Sequence, residues 1–204
     1  MSSVPQAESV FKSLEQRIHI ANLLLNNLSL RYGINRDDPN FDDTPKRFAM
    51  AFEQMLVGYT QSPEKILAKS FPSEDYDQMV VVKNIKFYSM CCHHLLPFYG
   101  FVSVGYIPNS VTKKVVGLSK IPRLVKCFSR RLQLQERMTE QIARALLDHL
   151  NPAGVGVVVH DSIHLCAHMR GVEESHSTMD TSSLHGEFRR EPDVRSEFFR
   201  MIGK

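Results

Sequence analysis

From Val10 to about Tyr32 the apolar residues Val10, Phe11, Leu14, Ile18, Ile20, Leu23, Leu24, Leu25 and Leu28 recur at helical spacing, and Gly33 is the expected stop. This predicts a long amphipathic helix that packs against the rest of the domain or a sister subunit. Asp42-Asp43-Thr44-Pro45 reads as a second helix start. Thr44 is the expected N-cap, and Pro45 occupies the first helical position, where its missing N–H costs nothing. Phe48, Met50, Phe52 and Met55 carry that helix towards Gly58 as core residues. Pro63 to Asp77 predicts a short helix and a loop.

The β-rich part begins at Met79-Val80-Val81-Val82, with Ile85-Lys86-Phe87-Tyr88 as a second strand. Phe101 to Ile107 alternates apolar with small or polar residues, the half-buried strand pattern. Pro108-Asn109-Ser110 is a turn, and Ser119 is an N-cap for a helix through Ser129. Another helix is expected from Gln133 to Leu150, broken by Asn151-Pro152-Ala153-Gly154. Val155 to His160 and Ser182 to Phe188 read as strands, and Pro192 opens a C-terminal helix. Helices lead, then strands and helices mix, which predicts an α+β fold with a mainly antiparallel sheet.

A length of 204 residues suits one functional unit: a helical region over residues 1–60 and a main domain over 61–204. Hydrophobic residues make up 43% and charged residues 23%, a globular composition. The net charge of +3, from 25 basic and 22 acidic residues, says little about partners, and no motif points to nucleic acid. No apolar run approaches the ~20 residues of a membrane helix. Two of the four cysteines are adjacent and the chain opens without an apolar signal segment, so a reduced cytoplasmic enzyme is expected.

The chemistry concentrates in Phe87-Tyr88-Ser89-Met90-Cys91-Cys92-His93-His94-Leu95-Leu96-Pro97-Phe98. Thiolate sulfur and imidazole nitrogen suit zinc, and the i, i+3 relation of Cys91 and His94 lets one turn aim both at a point. His164-Leu165-Cys166 offers a third ligand. Two positions apart, as in a strand, His164 and Cys166 would share a face. A Cys/His/Cys set with an open fourth position is the ligand count of a catalytic zinc. Cys127 reads as helix packing, and Arg130, Arg131 and Arg137 as a solvated charged face.

These residues resemble the GTP cyclohydrolase I family. The likeness runs through Gly117-Leu118-Ser119-Lys120-Ile121, Arg130 to Arg137, His164-Leu165-Cys166, Met169-Arg170-Gly171-Val172 and Thr181-Ser182-Ser183. Asp43-Thr44-Pro45-Lys46-Arg47 and the closing Phe188-Arg189 to Phe198 fit too. The resemblance implies the tunnelling fold, an antiparallel sheet with helices on one side, assembled into a homodecamer. It implies conversion of GTP and water to 7,8-dihydroneopterin triphosphate and formate, with zinc on Cys91, His94 and Cys166. His93, His164 and Ser119 match the catalytic positions, and Gln135 and Glu136 those that meet guanine. Lys120, Arg123 and Arg170 match the triphosphate sites, and Arg47 one donated by another subunit. Where the family has Cys-Glu-His-His this chain has Cys92 for the glutamate, a rival to Cys91 that the i, i+3 spacing disfavours. Other readings are a tunnelling-fold nitrile reductase and a non-catalytic nucleotide-binding relative.

Overall fold

The computed structural model describes residues 13–204, and the chain forms two compact units that divide between Gln54 and Met55. The first holds α1 (Leu14–Tyr32) and most of α2 (Thr44–Leu56). The Ser13 hydroxyl caps α1 by accepting from the Gln16 N–H at 3.2 Å, and Gly33 ends it at φ +68°. A left-handed residue there suits glycine, which has no Cβ to clash. Val10 and Phe11 lie outside the described residues. Ala21 is buried in α1, whereas Ile20, Leu23, Leu24 and Leu28 are exposed. The start of α2 differs by one residue from expectation. The Asp43 carbonyl accepts the first helical bond from Arg47 N–H, so Asp43 holds the cap position. The Thr44 hydroxyl turns back to the Asn40 carbonyl instead.

The second unit runs in the order α3 (Pro63–Leu67), β1 (Ser70–Pro72), β2 (Val80–Cys91), β3 (Pro97–Ile107), β4 (Lys114–Val116), α4 (Lys120–Ser129), β5 (Leu132–Gln133) and α5 (Gln135–Leu150). It continues with β6 (Gly154–His164), α6 (Leu165–His168), β7 (Met179–Gly186), α7 (Glu187–Arg190) and α8 (Pro192–Ile202). Five strands form one sheet in the order β5-β2-β3-β6-β7, antiparallel except where β5 pairs with β2. This is an α+β architecture built on a mainly antiparallel sheet, as expected. Among the described residues, no helix is long and apolar enough to cross a membrane.

Alternation along β6 separates two cores. Val155, Val157 and Val159 face α4 and α5, packing with Leu124, Val125, Met138, Ile142 and Leu146. Each such side chain, fully buried, stabilises the fold by about 1.5–3 kcal/mol. Val158 faces the other way, to Phe188, Phe198 and Ile202 of α7 and α8. Those rings lie directly on the sheet: a Cβ at Gly156 would come within 2.5 Å of Phe188, and one at Gly105 within 2.8 Å of Phe198.

The alternation does not hold to the ends of the strands. β2 is one strand of 12 residues where two were expected. Its pairing with β3 shifts register between Val82 and Ile85, and Asn84 takes φ +58°. A bulge places two residues opposite one, so the core-facing set changes from even to odd numbers. Val80 and Val82 face the first core, and after the bulge Ile85, Phe87 and Cys91 do. β6 repeats the device at Asp161, with φ +53° and register shifts against both neighbours.

The remaining differences are local. Gln133 belongs to β5 and not to α5, and Phe188 lies in α7 beyond the end of β7. Asn151 ends α5 in a left-handed conformation, φ +50°.

Candidate metal centre and its surroundings

β2 and β3 are joined by the turn that carries the histidines. Leu95 N–H bonds the Cys91 carbonyl and Cys91 N–H the Leu96 carbonyl, each at 2.9 Å, while Leu95 adopts φ +53°. This folds His94 back on Cys91, with Sγ to Nδ1 at 3.8 Å. The β5 strand braces the turn from the side, the Gln133 carbonyl accepting from Cys92 N–H at 3.1 Å. β5 is only two residues long and is held by the arginines expected to form a solvated face. Arg131 Nε donates to the Gly58 and Cys127 carbonyls at 3.1 and 2.8 Å, with its guanidinium over the Phe128 ring. Arg137 bonds the Gln133 side chain and the Leu132 carbonyl.

The third member arrives by a helix, not by the expected strand face. His164 ends β6, and the chain turns at once into α6, which presents Cys166. The ligand atoms of Cys91, His94 and Cys166 all lie within 4.8 Å of one another. Cys92, half-buried, is outside this group. Burial, then the adjoining Cys91 thiol, pushes the Cys166 thiol up, and Arg170 pulls it down. Two thiols and an imidazole at this separation fit one tetrahedral ion, whose Zn–S and Zn–N bonds of about 2.3 and 2.1 Å put ligand atoms roughly 3.5–4 Å apart. The group can hold a metal ion.

His164 faces the same side because of the Asp161 bulge. Its ring stacks on Phe98 with centroids 4.5 Å apart and planes 9° from parallel. Its Nε2 lies 2.8 Å from Gln135 Oε1. Burial lowers its pKa, opposed by the Glu136 carboxylate. Gln135 is itself buried, and its amide nitrogen donates to the Met179 carbonyl at 3.0 Å and Thr181 Oγ1 at 3.2 Å. Thr181 is held in turn by Thr139 at 2.7 Å. Sequence reasoning gave Thr139, Thr181 and Phe98 no role. The Gln135–Thr139 spacing of one helical turn was the available signal.

The other expected residues are distributed around this centre. His93 is exposed at the turn, its ring centroid 6.1 Å from that of His94. Glu136 is exposed in the first turn of α5. Ser119 stands at the cap position of α4 but makes no capping bond, so its hydroxyl is free, and Lys120 and Arg123 share that first turn. No hydrogen bond or ion pair among the described residues joins these three to the metal-capable group. Arg170 is exposed beyond α6. Arg47 belongs to the first unit, where it pairs with Asp43 at 3.1 Å.

Fold and site together define an enzyme whose metal-capable centre sits where a β-hairpin turn meets a short helix. The sequence model described as GTP cyclohydrolase I matches residues 23–203. A GTP cyclohydrolase 1 of Campylobacter lari is 52% identical over 159 residues, 78% of this chain and 82% of that protein. One from Campylobacter concisus is 51% identical over 169 residues, 81% and 87% of the two chains. One from Chlorobaculum tepidum is 50% identical over 160 residues, 78% and 70%. The chain belongs to the GTP cyclohydrolase I family.

Proposed function

We propose that this protein is a zinc enzyme that converts GTP and water to 7,8-dihydroneopterin triphosphate and formate, opening a tetrahydrofolate or related pterin route. The observation that carries the reading is the convergence of Cys91, His94 and Cys166 within 4.8 Å, two residues along the chain from His164. Three protein ligands leave a fourth position for water. Zinc, when bound, supplies Lewis acidity that brings the pKa of its water to about 7.

The chain's own groups do the rest. The Gln135 amide nitrogen is committed as a donor, so its oxygen accepts and His164 carries its proton on Nε2. Nδ1 is then the nitrogen that takes up a second proton, and from the doubly protonated ring it passes that proton to N7 of guanine, making C8 electrophilic and returning His164 to the neutral Nε2–H form. Gln135 serves the substrate by orienting His164. The Glu136 carboxylate accepts from guanine N1–H and N2–H₂ in parallel. His93 acts at the ribose end, and the free Ser119 hydroxyl assists the sugar rearrangement. Lys120, Arg123 and Arg170, none with an ion pair among the described residues, hold the triphosphate. Arg47 completes a neighbour's site in a homodecamer, a reading supported by the exposed apolar residues of α1. The four free cysteines accord with the cytoplasm.

The test is GTP turnover, read as formate and dihydroneopterin triphosphate, with zinc assayed on the same sample. Turnover should stop on chelation and return with zinc. Zinc without turnover would leave a nucleotide-binding protein, and absence of zinc would overturn the metal assignment.

A further inference from the structure

A line of polar contacts on the face away from α4 and α5 joins the two bulges. Asn84 N–H, in the β2 bulge, donates to Ser103 Oγ at 3.2 Å. Ser103 Oγ lies 3.1 Å from His160 Nε2, and His160 Nδ1 lies 2.8 Å from Asp161 Oδ2 in the β6 bulge. The proton positions follow from the partners. The Asp161 carboxylate accepts from Nδ1–H, which leaves Nε2 to accept the Ser103 O–H, so every member is satisfied. Ser103 and His160 are 0% and 3% exposed, so neither touches substrate.

The end of α8 holds both bulges from outside. Lys83 Nζ donates to the Met201 carbonyl at 2.9 Å, and Lys204 Nζ bonds Asp161 Oδ1 at 3.0 Å. Asp180 of β7 accepts from Asp161 N–H at 2.8 Å. Both bulges are therefore tied, one to the other through Ser103 and His160, and each to the C-terminal segment.

We propose that Ser103 and His160 are positioning residues for the catalytic centre, because their hydrogen bond locks together the bulges that turn Cys91 and His164 to the helix-covered face. The inference rests on the proposed roles of Cys91 and His164. Among the described residues the Ser103 side chain makes no hydrogen bond to the metal-capable group, so it acts on the site through strand register. Loss of its hydroxyl leaves Asn84 N–H and His160 Nε2 without partners and frees both strands to shift.

The test is hydrogen–deuterium exchange of the full chain, with Leu150→Ala as a control that removes core packing at the far end of α5. Ser103→Ala should speed exchange about tenfold in residues 87–96 and 160–168, while Leu150→Ala leaves those segments within about twofold of the unaltered protein. Cobalt-loaded Ser103→Ala should also show an altered thiolate absorption spectrum, and its kcat should fall with KM for GTP little changed. Should Ser103→Ala not fold, Lys204→Ala, at the exposed end of the line, should speed exchange in 160–168 alone. Unchanged exchange in the variant that folds, or equal acceleration by Leu150→Ala, would overturn the proposal. Exchange is read without metal or GTP, so it stands apart from failure of the proposed function, which zinc content and turnover of the unaltered protein report.

Discussion

His164 Nε2 lies 2.8 Å from Gln135 Oε1, and the Gln135 amide nitrogen is already bound to the Met179 carbonyl and Thr181. A glutamine donating twice has only its oxygen to offer, so the tautomer of His164 is set by a residue that itself cannot flip. Replacing Gln135 by Leu keeps the volume and removes the acceptor. A buried N–H left without a partner costs about 1–3 kcal/mol, and misdirected proton transfer lowers kcat by about 10²-fold. Steady-state kinetics should show kcat falling more than KM rises. An unaltered kcat would mean that Gln135 does not orient the histidine.

Cys91 and Cys92 are neighbours in sequence, yet only Cys91 joins His94 and Cys166. Cys91→Ser and Cys166→Ser should each lose zinc from about one per chain and lose turnover with it. Cys92→Ser should keep both. Zinc analysis of the three purified variants decides, and loss of metal from Cys92→Ser would move the ligand set by one residue.

Away from the site, Glu140 of α5 ties to β7. Burial pushes its pKa up, but hydrogen bonds from Ser183, Arg144 and His185 outweigh that and hold it at about 2, against 4.5 in the unfolded chain. The folded value is the lower one, so this stabilisation is full above pH 4.5 and is lost as pH falls towards about 2. Glu140→Gln should therefore lower Tm at pH 7, with the gap from the unaltered protein closing as the solution is acidified through that window. A gap that stays constant with pH would show that the carboxylate charge is not the stabilising element.

Much of the fold could be read from short-range signals. Gly33 at the end of α1, Asn151-Pro152 after α5 and Pro192 at the start of α8 each mark a boundary by backbone chemistry that no distant contact overrides. The i, i+3 relation of Cys91 and His94 was visible for the same reason. What failed depended on partners far along the chain. Lys83-Asn84 interrupted the alternation, so β2 read as two strands, although Ser103 on β3 holds the bulge closed. Gln133 carries no strand periodicity, because β5 is two residues long and owes its place to Arg131 and Arg137. The strand reading of His164 and Cys166 assumed period two, whereas the chain coils into α6 at Leu165.

Arg47 is the residue whose proposed role requires a second subunit. Arg47→Ala and His164→Ala should each be inactive alone. Mixed, dissociated and reassembled, they should regain activity, because some sites then take an intact His164 from one chain and an intact Arg47 from the other. Reassembled oligomers without regained turnover would confine Arg47 to its own subunit or remove it from the site.

The bulges at Asn84 and Asp161 make spacing a functional trait in its own right. Loss of a single residue between Val82 and Cys91 would turn the Cys91 thiol to the opposite side of the sheet with every amino acid in the motif intact. Only a compensating insertion in the same strand would bring it back. The same counting binds His164 to Val159. Variation in these two segments is thus expected to run through substitutions and not through changes of length, and a relative one residue shorter in either would have to build its centre differently.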